Sequence, residues 1–208
     1  MIINEAFGAW TTPFFSCDLA LSKDQLDAID QLVQRQAHSQ MHAIGSSVAQ
    51  VSKHNLIESD FNFLQQFAEK PYIKLLIDRL IAQLTLAIAE VHVTSTLLVS
   101  PKITESWFHL TEKGGYHDVH SHPNASWCGI FCVATDIDDP GVNRFYDPRL
   151  LADQYRDQAN QYLAEEGVWD FCLQPNQCLF FPAYLKHAAL PYAGNKNRIV
   201  IAFNTQSN

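Results

Sequence analysis

The stretch that decides the fold of this chain covers residues 114–133 and reads Gly-Gly-Tyr-His-Asp-Val-His-Ser-His-Pro-Asn-Ala-Ser-Trp-Cys-Gly-Ile-Phe-Cys-Val. In an extended strand, residues i and i+2 point to the same face, about 6.6 Å apart along the backbone. His120 and His122 have this spacing, and two imidazoles on one face can lean toward a common metal ion, about 2.0–2.1 Å from each nitrogen. An apolar, β-favouring run, 127–133, follows directly. The stretch therefore predicts a metal site at the end of a sheet.

The overall composition is that of an ordinary globular protein. The chain has 208 residues, of which 47% are hydrophobic and 17% charged, so it can bury one large core. The formal net charge is −8, and the sequence contains no run of Lys and Arg that would neutralise phosphates. We therefore expect no nucleic-acid partner.

The cysteines and the apolar segments bear on where the protein works. Five cysteines are scattered without a Cys-x-x-Cys pair, which favours free thiols in a reducing compartment. No N-terminal segment has the pattern of a signal peptide. The longest apolar stretch, 73–93, is interrupted by charged residues and does not predict a membrane span. A cytoplasmic protein without a membrane partner is expected.

Residues 1–92 are expected to be mainly helical. Ser22 and Gln25 form a capping-box pattern, which predicts a helix that continues to about residue 36. The polar segment 37–58 has no clear period and is expected to be a loop long enough to act as a lid or an arm.

Two more helices are predicted before the pattern changes. Asp60 is a candidate cap for a helix over 61–69. Pro71 suits the first turn of the next helix, 72–91, which is apolar nearly all round and is expected to be buried against a sheet.

From residue 93 onward, apolar residues alternate in short runs that are separated by turn residues. We expect a turn at Gly114–Gly115 and a polar helical insertion at 150–166. About eight strands are predicted, including 93–99, 105–111, 116–122, 127–135, 142–146, 168–173, 178–181 and 198–204. Their number and spacing predict an α+β fold, in which a jelly-roll barrel over 93–208 carries the N-terminal helices on its outer face. We expect residues 1–208 to form a single domain.

A third candidate ligand and a candidate anchor lie near the C-terminus. His187 is the only histidine that follows His122. Arg198 is the only charged residue in its apolar strand, and no acidic residue is near it in sequence. A buried Arg needs an anionic partner, and its planar fork fits a carboxylate in a two-point contact. A carboxylate ligand is therefore the candidate partner.

This arrangement resembles the iron(II)- and 2-oxoglutarate-dependent oxygenases of the double-stranded β-helix fold, in which a His pair, a distal His and an Arg follow one another through short strands. More narrowly, the chain is similar to a family of 2OG-Fe(II) oxygenases known mostly from bacteria and phages. The resemblance covers about residues 95–208. The motifs that carry it are Glu-Ser-Trp (105–107), His-Ser-His-Pro-Asn (120–124), Asp-Pro-Arg (147–149), Phe-Pro-Ala-Tyr-Leu-Lys-His (181–187), Pro-Tyr-Ala-Gly (191–194) and Arg-Ile-Val-Ile-Ala-Phe-Asn (198–204).

The resemblance implies both cofactors and a reaction. It implies Fe(II) on His120, His122 and His187, and the distal carboxylate of 2-oxoglutarate on Arg198. It also implies an O₂-dependent reaction that decarboxylates the cosubstrate to succinate and hydroxylates a C–H bond. Three more residues on or near the metal strands are candidates for lining the cosubstrate pocket: Tyr116, Asn124 and Trp107.

The chain departs from the usual ligand pattern of these enzymes, which is two His and one carboxylate. His122 occupies the carboxylate position, and three interpretations stay open. The site is a working three-His iron centre, or Asp118, two residues before His120, supplies the carboxylate while His122 serves another role. In the third interpretation, the site binds a different metal or does no oxygenase chemistry. A neutral three-His set should hold ferrous iron less tightly than the usual triad.

A rival from another class is a non-catalytic, cupin-like metal or small-molecule binding protein. Gly114, His120 and His122 fit the start of the first cupin motif, but the cupin Glu would fall at Ser126 or Trp127, which counts against a standard cupin. No pattern identifies the primary substrate, for which a small molecule or a peptide is expected. The oligomeric state, including a homodimer, also stays open.

Overall fold

The computed structural model of this protein describes residues 11–43, 52–91, 100–149 and 167–207. These ranges contain three helices, α1 (Lys23–Ala43), α2 (Phe63–Gln66) and α3 (Pro71–Val91). They also contain nine strands: β1 (Phe15–Asp18), β2 (Lys53–Glu58), β3 (Pro101–His120), β4 (Trp127–Ala134), β5 (Asn143–Tyr146), β6 (Val168–Phe171), β7 (Gln177–Pro182), β8 (His187–Ala189) and β9 (Arg198–Ser207). The predicted strand 93–99 and the predicted helical insertion 150–166 lie outside the described residues.

The strands form one curled antiparallel sheet in the order β1-β7-β4-β9-β3-β8-β5-β6, and β2 also pairs with β3. The long strand β3 connects the two halves of this sheet, because its first part pairs with β9 and its last residues pair with β8. Helices α1 and α3 pack against β3, and α1 also packs against β4. The predicted α+β jelly-roll with helices on its outer face is confirmed.

The first helix begins as predicted and continues further than predicted. The Ser22 hydroxyl accepts a hydrogen bond from the Gln25 backbone N–H (3.3 Å), and the Gln25 side-chain oxygen accepts one from the Ser22 N–H (2.8 Å). This reciprocal capping box is the predicted one. The predicted loop over 37–58 is wrong at both ends: 37–43 continue α1 because no Gly or Pro interrupts them, and 53–58 form β2. Residues 44–51 of that loop are not among those described.

The next two helices differ from the prediction in length and in burial. The helix expected over 61–69 shrinks to the single turn of α2, and Asp60 does not cap it. The first turn of α2 is instead held by a tertiary hydrogen bond, in which the Leu64 N–H donates to the Ser106 hydroxyl (2.9 Å). Helix α3 spans the predicted range, but it is buried on one face rather than all round, since Leu86 is exposed.

Strand β3 continues without interruption across residues 114–115, where a turn was predicted. Gly114 has a φ of +81°, which is favourable only for glycine. A Cβ on Gly115 would lie 2.4 Å from the backbone oxygen of Asn55 on β2. The prediction of a turn at these two glycines is therefore wrong: both lie inside the 20-residue strand β3, and Gly115 allows the close approach of β2.

Alternate residues of β3 and β9 face opposite layers. Phe108, Leu110 and Ile201 belong to the hydrophobic core that the sheet shares with α1 and α3. Trp107, His109, Arg198 and Val200 point to the concave side and line a cleft. The period-two pattern of both strands thus separates a packing face from a face that carries polar groups. No described helix is long and apolar enough to cross a membrane.

Candidate active site

Three histidine side chains converge at one end of the cleft. His120 is the last residue of β3, His122 follows two residues later, and His187 begins β8 as the register partner of His120. One ring nitrogen from each lies within 4.8 Å of the others, and the Nε2 atoms of His122 and His187 are 3.3 Å apart. Two nitrogens that bind one metal at right angles, each at about 2.1 Å, would lie about 3.0 Å apart. The spacing therefore fits a shared metal ion.

Backbone carbonyls set the orientation of two of these rings. His120 Nδ1 donates to the carbonyl oxygen of Asp118 (2.8 Å), and His187 Nδ1 donates to that of Leu185 (3.1 Å). With Nδ1 protonated, Nε2 of a neutral imidazole carries the free lone pair that a metal requires.

The surroundings of the same rings disfavour protonation. Burial, reinforced by the neighbouring histidines, lowers the pKa of His187 to about 3 and that of His122 to about 4. Burial also lowers the pKa of His120. Metal binding needs the neutral imidazole, so the ligand set is in the correct protonation state at neutral pH.

Asp118 does not share the face of His120. Its side chain is exposed, and its carboxylate accepts a hydrogen bond from the N–H of Val119 (2.7 Å). The register of β3 against β8 shifts between His117 and His120, and such an irregularity breaks the i, i+2 rule that placed the two residues on one face. Asp118 is therefore not among the converging groups, and the group of three candidate ligands contains no carboxylate from the described part of the chain.

The cleft is partly open to solvent and is lined mainly by residues of β3, β4, β8 and β9. Trp107 lines it, as predicted, whereas Tyr116 and Asn124 lie outside the lining. The Tyr116 ring stacks on His54 (5.8 Å between centroids). Asn124 is exposed, and its carbonyl oxygen accepts a hydrogen bond from Gln206.

Arg198 lies in the cleft and is only 3% exposed. Its Nε donates to the Pro140 carbonyl (3.1 Å) and its Nη2 donates to Asn143 Oδ1 (3.1 Å). Both acceptors are neutral, and none of the carboxylates in the described ranges pairs with this guanidinium. Burial lowers the pKa of Arg198. A buried cation with only neutral acceptors is a site for an anion.

The distance between the two ends of the cleft suits a short diacid. In the β5–β8 ladder, His187 pairs with Phe145 and Ala189 pairs with Asn143, so the Arg198–Asn143 contact lies two residues from the metal end. Two residues of a strand rise about 6.7 Å. The terminal carbons of 2-oxoglutarate are separated by four C–C bonds of about 1.5 Å, or about 5 Å when extended. The residues present therefore fit both a metal ion and this cosubstrate.

Local sequence patterns did not predict the polar network that lies beside the three histidines. The His117 ring stacks on His120 (3.9 Å between centroids). His109 donates through Nε2 to Glu58 (2.6 Å), whose two oxygens also accept from Lys53 (2.7 Å each). Strand β2 brings both Glu58 and Lys53, and no β2 was predicted. Asn143 was missed as well, because its contact with Arg198 joins residues that are 55 positions apart in sequence.

Comparison with known proteins gives one family match and several solved structures of similar fold. Residues 105–204 match the family whose description is "Putative 2OG-Fe(II) oxygenase", while no curated protein matches the chain. A prolyl-4-hydroxylase from Pseudomonas putida is 14% identical with a TM-score of 0.59, and the alignment covers 93% of this chain and 92% of that one. AviO1 from Streptomyces viridochromogenes is 16% identical with a TM-score of 0.61, over 93% and 90% of the two chains. HygX from Streptomyces hygroscopicus, solved with nickel, 2-oxoglutarate and hygromycin B, is 12% identical with a TM-score of 0.58, over 94% and 83%.

The fold is a jelly roll, and its three converging histidines form a candidate site for a metal ion. The family match makes the class more specific: residues 105–204 of this chain match the 2OG-Fe(II) oxygenases, which use Fe(II) and 2-oxoglutarate. It is therefore an oxidoreductase, and the non-catalytic cupin-like alternative is disfavoured.

Proposed function

We propose that this protein is a dioxygenase in which His120, His122 and His187 together bind Fe(II), while Arg198 binds the distal carboxylate of 2-oxoglutarate. When bound, iron and cosubstrate supply the oxidising chemistry: O₂ and 2-oxoglutarate are converted to succinate and CO₂ while one C–H bond of the substrate becomes C–OH. The observation that carries the proposal is the pairing, in one cleft, of three converging imidazole nitrogens with a buried guanidinium that contacts only neutral acceptors.

The chain's own residues hold and orient these groups. Carbonyl oxygens of Asp118 and Leu185 fix the tautomers of His120 and His187. Pro140 and Asn143 hold the guanidinium of Arg198 in place before any ligand arrives. A preset anchor of this kind lowers the entropy that the cosubstrate loses on binding.

The apolar side of the cleft excludes water from the metal end. Phe181 packs edge-on against the ring of His187 (4.9 Å), and Phe145 stacks on the same ring (5.5 Å). On the other side, Trp107 lies against His122 (5.4 Å), and the half-exposed Phe61 packs on Trp107 (5.1 Å). These aromatic surfaces favour a substrate that presents an apolar C–H bond, as part of a small molecule or a peptide.

The proposed compartment is the cytoplasm, and no nucleic acid is proposed as a partner. All five cysteines are free, which suits a reducing environment. The formal net charge of −8 disfavours binding to phosphate backbones.

Anaerobic addition of Fe(II) and 2-oxoglutarate tests the cosubstrate assignment. Wild-type protein should develop a weak visible charge-transfer band, and Arg198→Ala should lose it at the same ligand concentration. Arg144→Ala is the matched control, because Arg144 also lies on a barrel strand but pairs with Asp170 outside the cleft. A wild-type protein that gives no band, and whose 2-oxoglutarate binding is the same in Arg198→Ala, would contradict the proposal.

Three substitutions test the ligand set. His122→Ala should weaken Fe(II) binding by about 100-fold or more, because one of only three protein ligands is removed. Asp118→Ala should leave it within about twofold. His122→Asp should bind Fe(II) at least as tightly as wild type, since it restores the charge of the usual triad. Iron retention after anaerobic gel filtration measures all three, and iron loss in Asp118→Ala but not in His122→Ala would return the carboxylate to the site.

A further inference from the structure

The Glu-Ser-Trp motif at 105–107 lies beside the three histidines, and it has no part in the proposed binding of iron or 2-oxoglutarate. Its middle residue, Ser106, faces helix α2, where its hydroxyl accepts from the Leu64 N–H (2.9 Å). Successive residues of a strand point to opposite faces, so Glu105 and Trp107 face the concave side. The motif therefore places one acid and one indole N–H on the wall of the cleft.

The indole N–H of Trp107 is a donor that a ligand can use. Trp107 is 3% exposed and lines the cleft, and no described residue accepts from its Nε1. Its ring lies 5.4 Å from that of His122, and it stands four residues before Thr111, the register partner of Arg198. Four strand residues span about 13 Å, whereas the terminal carbons of extended 2-oxoglutarate are about 5 Å apart. The N–H is therefore available to the primary substrate, beyond the reach of a cosubstrate held by Arg198.

Glu105 adds a negative charge closer to solvent. It stands in one row of the sheet with Asn204 of β9 and Cys128 of β4. Its carboxylate accepts from Asn204 Nδ2 (2.7 Å), and Asn204 Oδ1 accepts from the thiol of Cys128, which lines the cleft. Burial raises the pKa of that thiol to about 12, and the charge of Glu105 adds to the rise. Glu105 itself is exposed, and no Lys or Arg of the described ranges forms an ion pair with it.

Apolar side chains surround these two polar groups. Phe61 is 53% exposed and packs edge-on against Trp107 (5.1 Å). Ile130 and Ala202 stand in the same row as Trp107 and line the cleft. The rows of Trp107 and Glu105 are two residues apart, or about 6.7 Å, and an extended chain of five carbons spans about 6 Å. The wall thus offers a neutral donor, an apolar surface and a negative charge over the length of a short aliphatic chain.

We propose that the primary substrate is a cationic amine, whose ammonium group pairs with Glu105 and whose carbonyl or hydroxyl oxygen accepts from Nε1 of Trp107. An aliphatic chain joins the two groups, lies against Phe61 and presents its C–H bonds beside His122. The inference rests on the proposed function, because it names the substrate class of the same reaction. One oxygen of O₂ enters succinate and the other is inserted into a C–H bond of the chain, so both anchoring groups are unchanged in the product. The formal net charge of −8 also favours the approach of a cation.

Calorimetric titration of the protein loaded with Fe(II) and 2-oxoglutarate, without O₂, tests the charge with two probes of the same shape. N-(5-aminopentyl)acetamide carries both anchoring groups, and N-hexylacetamide has a methyl group in place of the ammonium. Wild type should bind the amine about fivefold more tightly, the upper end for an ion pair that solvent still reaches. Glu105→Gln should bring the two affinities within about twofold. Raising the salt concentration from about 0.05 to about 0.5 M should reduce the preference of wild type in the same way.

A third probe, hexylamine, tests the indole because it lacks the acetamide. Trp107→Phe keeps an aromatic ring against Phe61 and His122 but removes the N–H. It should weaken binding of N-(5-aminopentyl)acetamide by about three- to tenfold. Binding of hexylamine should stay within about twofold, because this probe has no oxygen to accept from Nε1.

Two control variants change the same residue types elsewhere in the barrel. Glu112 is also an exposed acid of β3, but it does not line the cleft. Trp127 packs on Phe15 (5.9 Å) beside the core shared with the helices. Glu112→Gln and Trp127→Phe should therefore keep the probe preferences of wild type.

The outcomes distinguish the inference from the function on which it rests. A wild-type protein that gives no charge-transfer band with Fe(II) and 2-oxoglutarate overturns both. If the band forms but N-(5-aminopentyl)acetamide binds no more tightly than N-hexylacetamide, or neither binds, the inference alone is overturned. A preference that survives in Glu105→Gln overturns it too. A preference that Glu112→Gln abolishes equally also does so, because net charge and not this site would then attract the amine.

Discussion

On the ladder between β3 and β9, Phe108, Leu110 and Ile201 point toward the helices, whereas His109 and Thr111 point toward the concave side. The first group needs no hydrogen-bond partners, because its members are apolar and are buried among apolar neighbours. The second group is buried as well, but it is polar and depends on partners. One pair of strands thus carries two different faces. The apolar face stabilises the fold, and the polar face needs hydrogen-bond partners from outside the two strands.

The concave face itself contains two kinds of polar residue. His109 finds its partner within the chain, because Glu58 on β2 accepts from its Nε2. Thr111 and Asn143 have donors left over within the described structure. This difference gives the following substitutions distinct expected results.

Phe108→Ala should give the largest change in stability. Phe108 is fully buried and packs edge-on against Phe63 (5.2 Å), and truncation of such a side chain costs about 3–5 kcal/mol. Denaturant unfolding measures the loss. Arg198→Ala, on the opposite face, should leave the free energy of unfolding nearly unchanged, because it removes a buried charge that has only neutral partners.

The milder Phe108→Leu keeps this comparison measurable if Phe108→Ala does not fold. It should cost about 1 kcal/mol and leave 2-oxoglutarate affinity as in wild type. If Phe108→Leu lowers cosubstrate affinity as strongly as Arg198→Ala does, the two faces are not separable.

Glu58→Gln should give an intermediate effect that depends on pH. Burial raises the pKa of Glu58, but hydrogen bonds and charge from His109 and Lys53 outweigh burial and lower it from 4.5 to about 2. A depressed carboxyl pKa stabilises the folded state above pH 4.5, and this contribution is lost as the pH falls from about 4.5 to about 2. At pH 7 the variant should be less stable by about 2 kcal/mol.

The gap between wild type and Glu58→Gln should therefore close on acidification, as measured by unfolding at several pH values between 7 and 2.5. Asp170→Asn is the control: its pair with Arg144 is more exposed, and such pairs contribute about 1 kcal/mol or less. A constant gap across this pH range would show that the carboxylate charge of Glu58 plays no part.

Much of the barrel could be predicted because it depends on local patterns. Alternation and turn residues located most strands, and the capping box at Ser22 located the start of α1. Strand β2 was missed because it is held by pairing with β3, and its own sequence, Lys-His-Asn-Leu-Ile-Glu, does not alternate strictly. The two glycines at 114–115 predicted a turn, since the sequence does not show that a neighbouring strand needs their small size.

The candidate site could also be predicted only where its residues are marked by local sequence patterns. Short spacing identified His120 and His122, and chemical isolation identified Arg198, because each signal lies within one segment. The position of Asp118 relative to His120 could not be predicted, since a register shift in the tertiary pairing cannot be read from the i, i+2 rule. Asn143 and Glu58 were not predicted as part of the site, because their contacts join residues that are 55 and 51 positions apart in sequence.

Thr111→Val gives the smallest expected effect and the sharpest separation of the two kinds of polar residue. The two side chains have nearly the same shape, so the substitution removes a buried hydroxyl without leaving a cavity. In the ligand-free protein that hydroxyl has no partner within the described residues, so its loss should raise the free energy of unfolding by about 1 kcal/mol. If the hydroxyl donates to the distal carboxylate of 2-oxoglutarate beside Arg198, the affinity for 2-oxoglutarate should fall by about threefold to tenfold in the same variant. A gain in stability together with a loss of affinity is the signature of a group kept for a ligand at the expense of the fold. A Thr111→Val protein that is less stable, with unchanged affinity, would instead place this hydroxyl among the groups that the chain satisfies by itself, beside His109.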